Sequence, residues 1–301
     1  MKQPLLNEAQ APSLRAEVLE MTGDALQLSS TKIVRILLTT IDAAFLGHLG
    51  TKELAASAMC AQYQGIPSAF VQFTIQAVTT LAAQARGAGN KKLVGEWLQT
   101  ALLIAAVGTL PSMFFFYKLH AVVALTMTDP EVVEYSRQFS EAMAWSLFPQ
   151  FCYVAFTSWF ATIGVMLPAT FATCVTVVAN AVFNYIFIYG YGSFKGLGFI
   201  GSPLATVASS YLQLFVFLVY AWFIKGYHKE YWCGWSKQAI SGKRLRTFLA
   251  LGIPTALSAV VDWFSGAIAG SFAGLAGTYI AAAQVVVGHD LLARLIMNHH
   301  A

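Results

Sequence analysis

Seven continuous apolar stretches, each about as long as a lipid bilayer is thick, occupy most of this 301-residue chain. They cover approximately 26–47, 54–84, 96–117, 138–164, 168–190, 201–224 and 247–273, and an eighth begins near Thr278. In lipid every backbone N–H and C=O must find its partner inside the protein, which leaves helices or closed barrels. The stretches do not alternate apolar and polar residues, so a barrel is excluded. Charged residues make up 11% of the chain, where a soluble domain carries about 25%. The predicted fold class is an all-α polytopic membrane protein, a six-helix lobe followed by one to two helices of a second, pseudo-symmetric lobe.

Loop charges set the expected orientation, because lysines and arginines gather on the cytoplasmic side. On the side of the N-terminus lie Lys2, Arg15, Arg86, Lys91 and Lys92, then Lys225, Lys229, Lys237, Lys243, Arg244 and Arg246. The opposite side holds Lys52, Lys118, Arg137 and Lys195. This places the N-terminus in the cytoplasm and argues against a seven-helix receptor. The net charge of +4 comes from these loops and makes no case for nucleic acid. Residues 1–24 read as a cytoplasmic tail, 25–224 as the first lobe, 225–246 as a basic cytoplasmic linker and 247–301 as part of a second lobe. The second run is too long for one straight crossing and should tilt or project. Pro149 should kink the fourth run, whereas Pro168 and Pro254 are expected near helix starts.

A short internal repeat supports two lobes. Gly50-Thr51-Lys52-Glu53-Leu54-Ala55-Ala56 recurs as Gly277-Thr278-Tyr279-Ile280-Ala281-Ala282-Ala283, each copy following one apolar helix and opening the next. Transporters are commonly built from such repeats, with sites near the repeat interface. Two full copies would need roughly 470 residues by this logic, so the chain reads as stopping early in the second. Such a transporter is expected to act as a monomer when both lobes are complete.

Polar side chains inside the apolar runs are the functional candidates. A carboxylate at membrane depth costs about 2.5 kcal/mol or more, so Asp42 is a functional site by default. Asp42 lies in the outer half of the first run, Asn180 and Asn184 in the outer half of the fifth, and Thr206 in the outer half of the sixth. The two asparagines are four apart and share one helix face. These residues are expected to form a cation- or proton-binding cluster. Burial favours the neutral form of a carboxylic acid, so Asp42 can carry a proton; amide and hydroxyl oxygens beside it can also complete a shell for a small cation. The plain reading of Asn184 and Thr206 is interhelical hydrogen bonding. Asp262 is a second intramembrane acid, and the repeat makes it the counterpart of Arg35; both are candidates for a central substrate cavity, where they would pair. Lys32 and Arg35 can alternatively snorkel to the surface. Trp145 and Trp159 are candidates to contact organic cations. The four cysteines are scattered and read as small buried side chains. The histidines show no metal-ligand spacing inside the runs, which argues against a metalloenzyme.

Several segments resemble the multidrug and toxic compound extrusion (MATE) transporters. Ile41-Asp42-Ala43-Ala44-Phe45-Leu46-Gly47-His48-Leu49-Gly50 is similar to the end of their first helix, and Gln84-Ala85-Arg86-Gly87-Ala88-Gly89 to their second loop. The stretch from Asn180 to Gly190 resembles the fifth helix, and Gly201-Ser202-Pro203-Leu204-Ala205-Thr206 the start of the sixth. Leu251-Gly252-Ile253-Pro254 and Ala281-Ala282-Ala283-Gln284-Val285 resemble the seventh and eighth. The resemblance implies twelve helices in two lobes around a central cavity, and export of organic cations and other amphiphiles in exchange for protons or sodium ions. It matches Asp42, Asn180, Asn184 and Thr206 to the cation-linked cluster, Asp262 to an acidic position of the seventh helix, and Gln284 to a polar position of the eighth. No cofactor is implied beyond the coupling ion. The expected partners are the bilayer and a small organic substrate, and the expected location is the plasma membrane or a vacuole or other organelle. Lys32, Arg35 and Asp24 depart from the family pattern. A lipid-linked oligosaccharide flippase of the same superfamily is the alternative, as is an inactive fragment.

Overall fold

The computed structural model describes residues 37–283, and among these the chain is helical throughout its apolar runs. Helix α1 (Leu37–Leu49) is followed by α2 (Thr51–Ile75), α3 (Ala77–Gly87) and α4 (Lys91–Val123). Next come α5 (Pro130–Met143), α6 (Leu147–Thr162), α7 (Leu167–Tyr189), α8 (Gly201–Leu218) and α9 (Gly242–Ala276), then a helical stretch over 278–283. Five of the described helical stretches are long and apolar enough to cross a membrane. The protein is an integral, multi-pass membrane protein.

Helix boundaries follow local chemistry. Asn90 caps α4 by accepting a hydrogen bond from the Leu93 amide at 3.0 Å, and Asp129 caps α5 through the Glu131 amide, with Pro130 in the first turn. The overlong second run breaks at Gln76 into α2 and α3. The fourth run divides between α5 and α6 at a 3-10 turn over Ala144–Ser146. That is where the Pro149 ring would meet the carbonyl four residues earlier, so the expected kink is present. Pro168 sits in the first turn of α7 as expected. Pro254 does not begin a helix: α9 starts at Gly242 and carries Pro254 inside it.

The two copies of the repeat adopt the same junction. Gly50 separates α1 from α2 and donates to the Leu46 carbonyl; Gly277 follows α9 and donates to the Gly274 carbonyl. Each glycine carbonyl then accepts from the amide four residues on, Leu54 or Ala281.

One apolar core joins α3, α4, α6 and α8 around Trp159, Phe160, Phe151 and Phe217. Trp159 meets Phe160 edge to face at 5.0 Å, and its indole N–H donates to the Val94 carbonyl at 2.8 Å. A second core packs Met59 and Cys60 against Leu119, Val132 and Phe199. Leu110, Phe114, Val178 and Phe215 face outward; lipid is as apolar as these side chains, so their exposure costs nothing. Cys60 and Cys152 are buried as expected, but Cys174 and Cys233 are exposed.

Helix α9 lies along α2 at close range. A Cβ at Gly65 would overlap the Trp263 ring, and one at Gly252 would press on the Thr74 carbonyl. Small residues let the two backbones approach. Tyr63 adds hydroxyl bonds to Ser271 at 2.7 Å and Thr126 at 3.1 Å.

The segment between α8 and α9 is ordered against α4. It contains 3-10 turns at Tyr227–Glu230 and Lys237–Ile240. Gln99 donates to the Gly234 carbonyl and accepts from the Ser236 amide, each at 2.8 Å, and Thr100 donates to the Ala239 carbonyl at 2.8 Å. Arg244 pairs with the buried carboxylate of Glu96, which also accepts from the Ser236 hydroxyl at 2.7 Å.

Candidate functional site

Three helices distant in sequence bring their polar residues to one place. Asp42 projects from α1 and is half-buried. Its Oδ1 accepts from Asn184 Nδ2 at 2.7 Å, and its Oδ2 accepts from Thr206 Oγ1 at 3.4 Å. Asn184 Nδ2 also reaches the Asn180 carbonyl and Oδ1, each at 3.1 Å, as the four-residue spacing on α7 allows. Asn180 and Asn184 are fully buried. Among the described residues Asn180 Nδ2 and Asn184 Oδ1 have no hydrogen-bond partner, which leaves a donor and an acceptor close to the carboxylate.

Asp42 opens onto a cavity of about 590 Å³ bounded by α1, α2, α5, α6, α7 and α8. Among the described residues Asp42 is the one charged side chain on its wall. The remaining polar atoms belong to hydroxyls and amides, including Gln64, Gln150, Tyr153, Thr173 and Gln213. Cavities of this size hold a drug-sized molecule or many waters.

The other sequence candidates lie elsewhere. Asp262 is exposed on α9 and does not line this cavity. Arg35 and Gln284 fall outside the described residues. Trp159 is buried in the apolar core and Trp145 is exposed, and neither lines the cavity. The glutamines and lower hydroxyls were missed from sequence. Their signal was a helical stripe: Thr173, Thr176 and Asn180 on α7, and Ser202, Thr206, Ser209 and Gln213 on α8, recur every three or four residues.

The family model of MatE matches residues 29–186, which include Asp42, Asn180 and Asn184. The chain belongs to the MatE family. MatE is a family of transporters. Multidrug and toxin extrusion protein 1 of Xenopus tropicalis is 26% identical over 259 residues, covering 85% of this chain and 44% of that protein. The Homo sapiens protein of the same name is 28% identical over 258 residues, with the same coverage of each. The chain thus spans less than half the length of these relatives. Among solved structures, the eukaryotic MATE transporter AtDTX14 superposes with a TM-score of 0.76 at 19% identity, over 89% of this chain and 60% of that one. The MATE multidrug transporter DinF-BH gives 0.73 at 18% identity, over 99% and 64%. These likenesses show the all-α MatE fold.

Proposed function

We propose that this chain carries the ion-coupling lobe of a secondary antiporter that exports small organic solutes or drugs in exchange for protons or sodium ions. The observation that carries the reading is the single carboxylate of Asp42, held by Asn184 and Thr206 on the wall of a large cavity. A buried carboxylate is costly until a proton or a cation neutralises it. Asn184 and Thr206 donate to the ionised form. When the charge is cancelled, those donors and the free amide groups beside them must find new partners, which couples occupancy to the packing of α1 against α7 and α8.

Asp42 takes up its ion from the side opposite the cytoplasm, and the lobe rearranges so that substrate leaves. Return to the cytoplasmic side releases the ion. The names of the relatives in Xenopus tropicalis and Homo sapiens support extrusion of drugs and toxins as the activity. A flippase for an anionic lipid-linked sugar would require basic residues on the cavity wall, whereas among the described residues the charge there is an acid.

The test is Asp42→Asn in the full chain reconstituted into liposomes with an imposed proton or sodium gradient. Gradient-driven efflux of a fluorescent organic cation should disappear. Efflux at the parent rate, still dependent on the gradient, refutes the assignment.

A further inference from the structure

Two helical turns along the cavity from Asp42, α6, α7 and α8 build a second polar layer. Thr173 lies seven residues before Asn180 on α7, and Gln213 seven residues after Thr206 on α8. The helices run in opposite directions, so both steps lead the same way, by about 10 Å. In that layer Gln213 Nε2 donates to Thr173 Oγ1 at 3.3 Å, and the Tyr153 hydroxyl lies 3.1 Å from the same oxygen. Ser210 stands between the layers: its hydroxyl donates to the Thr206 carbonyl at 2.8 Å and accepts from Gln150 Nε2 at 3.4 Å. All these residues line the cavity that Asp42 lines. Gln64 Nε2 and Ser209 Oγ, also on its wall, have no hydrogen-bond partner among the described residues. Polar groups left unpaired in an apolar interior are costly, and small side-chain adjustments toward cavity water would satisfy them.

We propose that this hydroxyl-and-amide layer is the inner end of a hydrated path that carries protons between Asp42 and the end of the cavity nearest the connection of α6 to α7. The proposal rests on the ion-coupling reading of Asp42. The chemistry of the wall selects the proton. A hydroxyl both donates and accepts, so Thr206, Ser210, Thr173 and Tyr153 can each hand on a hydrogen bond through intervening water. Among the described residues the layer has no carboxylate to offset the dehydration of a metal ion. At each hop one O–H bond forms as another breaks. Asp42 ends as a neutral acid on loading and as a carboxylate on release, with no other bond changed. Gln150 and Gln213 hold the hydroxyls in place.

The test is infrared spectroscopy of the full chain in lipid, following hydrogen–deuterium exchange of the carboxylic acid band that disappears in Asp42→Asn. Thr173→Val combined with Gln213→Leu should slow that exchange fivefold or more, while Thr173→Ser, which keeps the hydroxyl, should exchange at the parent rate. Equal rates in the double variant and the parent overturn the path and leave the role of Asp42 standing. Thr173→Ser as slow as the double variant would mean that packing, not the hydroxyl, sets the rate, and also overturns it. A carboxylic acid band that survives Asp42→Asn removes the ion-coupling reading and the path together.

Discussion

Asn184 and Asp42, 142 residues apart, meet through one 2.7 Å hydrogen bond from amide nitrogen to carboxylate oxygen. This contact ties α7 to α1 at the carboxylate that opens onto the cavity. Asn184→Ala removes the donor and also frees Asn180. Interhelical hydrogen bonds in membrane bundles contribute about 0.6 kcal/mol on average and up to about 1.7. The variant should therefore fold, with a stability loss of about 1 kcal/mol in steric-trapping measurements, yet lose most of its gradient-driven efflux. A variant with parent efflux would show that Asp42 works without this donor.

Glu96 and Arg244 give a second expectation. Glu96 is buried with 3% of its side chain exposed, and Arg244 is its close partner, with Lys92 at the edge of reach, 4.0 Å away. Removing one member of a buried pair leaves an uncompensated charge and costs about 3 kcal/mol. Arg244→Ala should lower the thermal midpoint clearly, and Glu96→Gln added to it should restore much of the loss. A double variant no more stable than Arg244→Ala would show that the pair does not act through its charge.

At the α2–α9 crossing, Gly65→Val should force the Trp263 ring aside. The cost of such overpacking is about 1–3 kcal/mol. Trp263→Ala in the same chain should relieve it, read as recovery of the thermal midpoint. If the two substitutions add independently, the ring and the glycine do not meet in the membrane.

The first turns of α5 predict a pH dependence. Hydrogen bonds from Arg137, then from Gln138, hold the Glu134 carboxyl at about 2, below its ordinary 4.5. The folded-state value is depressed, so the stabilisation is complete above pH 4.5 and is lost as pH falls toward 2. The difference in thermal midpoint between the parent and Arg137→Gln should be present at about pH 7 and vanish near pH 2. The pair is exposed, so added salt should shrink the difference at neutral pH.

The cluster around Asp42 was legible because depth along each helix can be counted from its ends, and because i, i+4 spacing puts Asn180 and Asn184 on one face. The lower layer was not. Gln150, Thr173 and Gln213 sit on three helices, and only the packing of those helices shows that they share a cavity. The start of α9 was misjudged for a physical reason. Lys243, Arg244 and Arg246 look like loop residues, yet they occupy its first two turns while Phe248 is buried in the core. Asp262 was placed correctly within a helix, but its face could not be fixed from sequence; in the structure it points away from the cavity of Asp42.

The grip of Glu96 on Arg244 has a mechanical consequence. Helix α9 is 35 residues long, about 52 Å at the rise of an α-helix, and the salt bridge fastens it within a turn of its beginning. Packing along α2 continues the hold to the other end, through Gly252 on the Thr74 carbonyl, Trp263 on Gly65 and Ser271 on Tyr63, so α2 and α9 turn as one stiff pair.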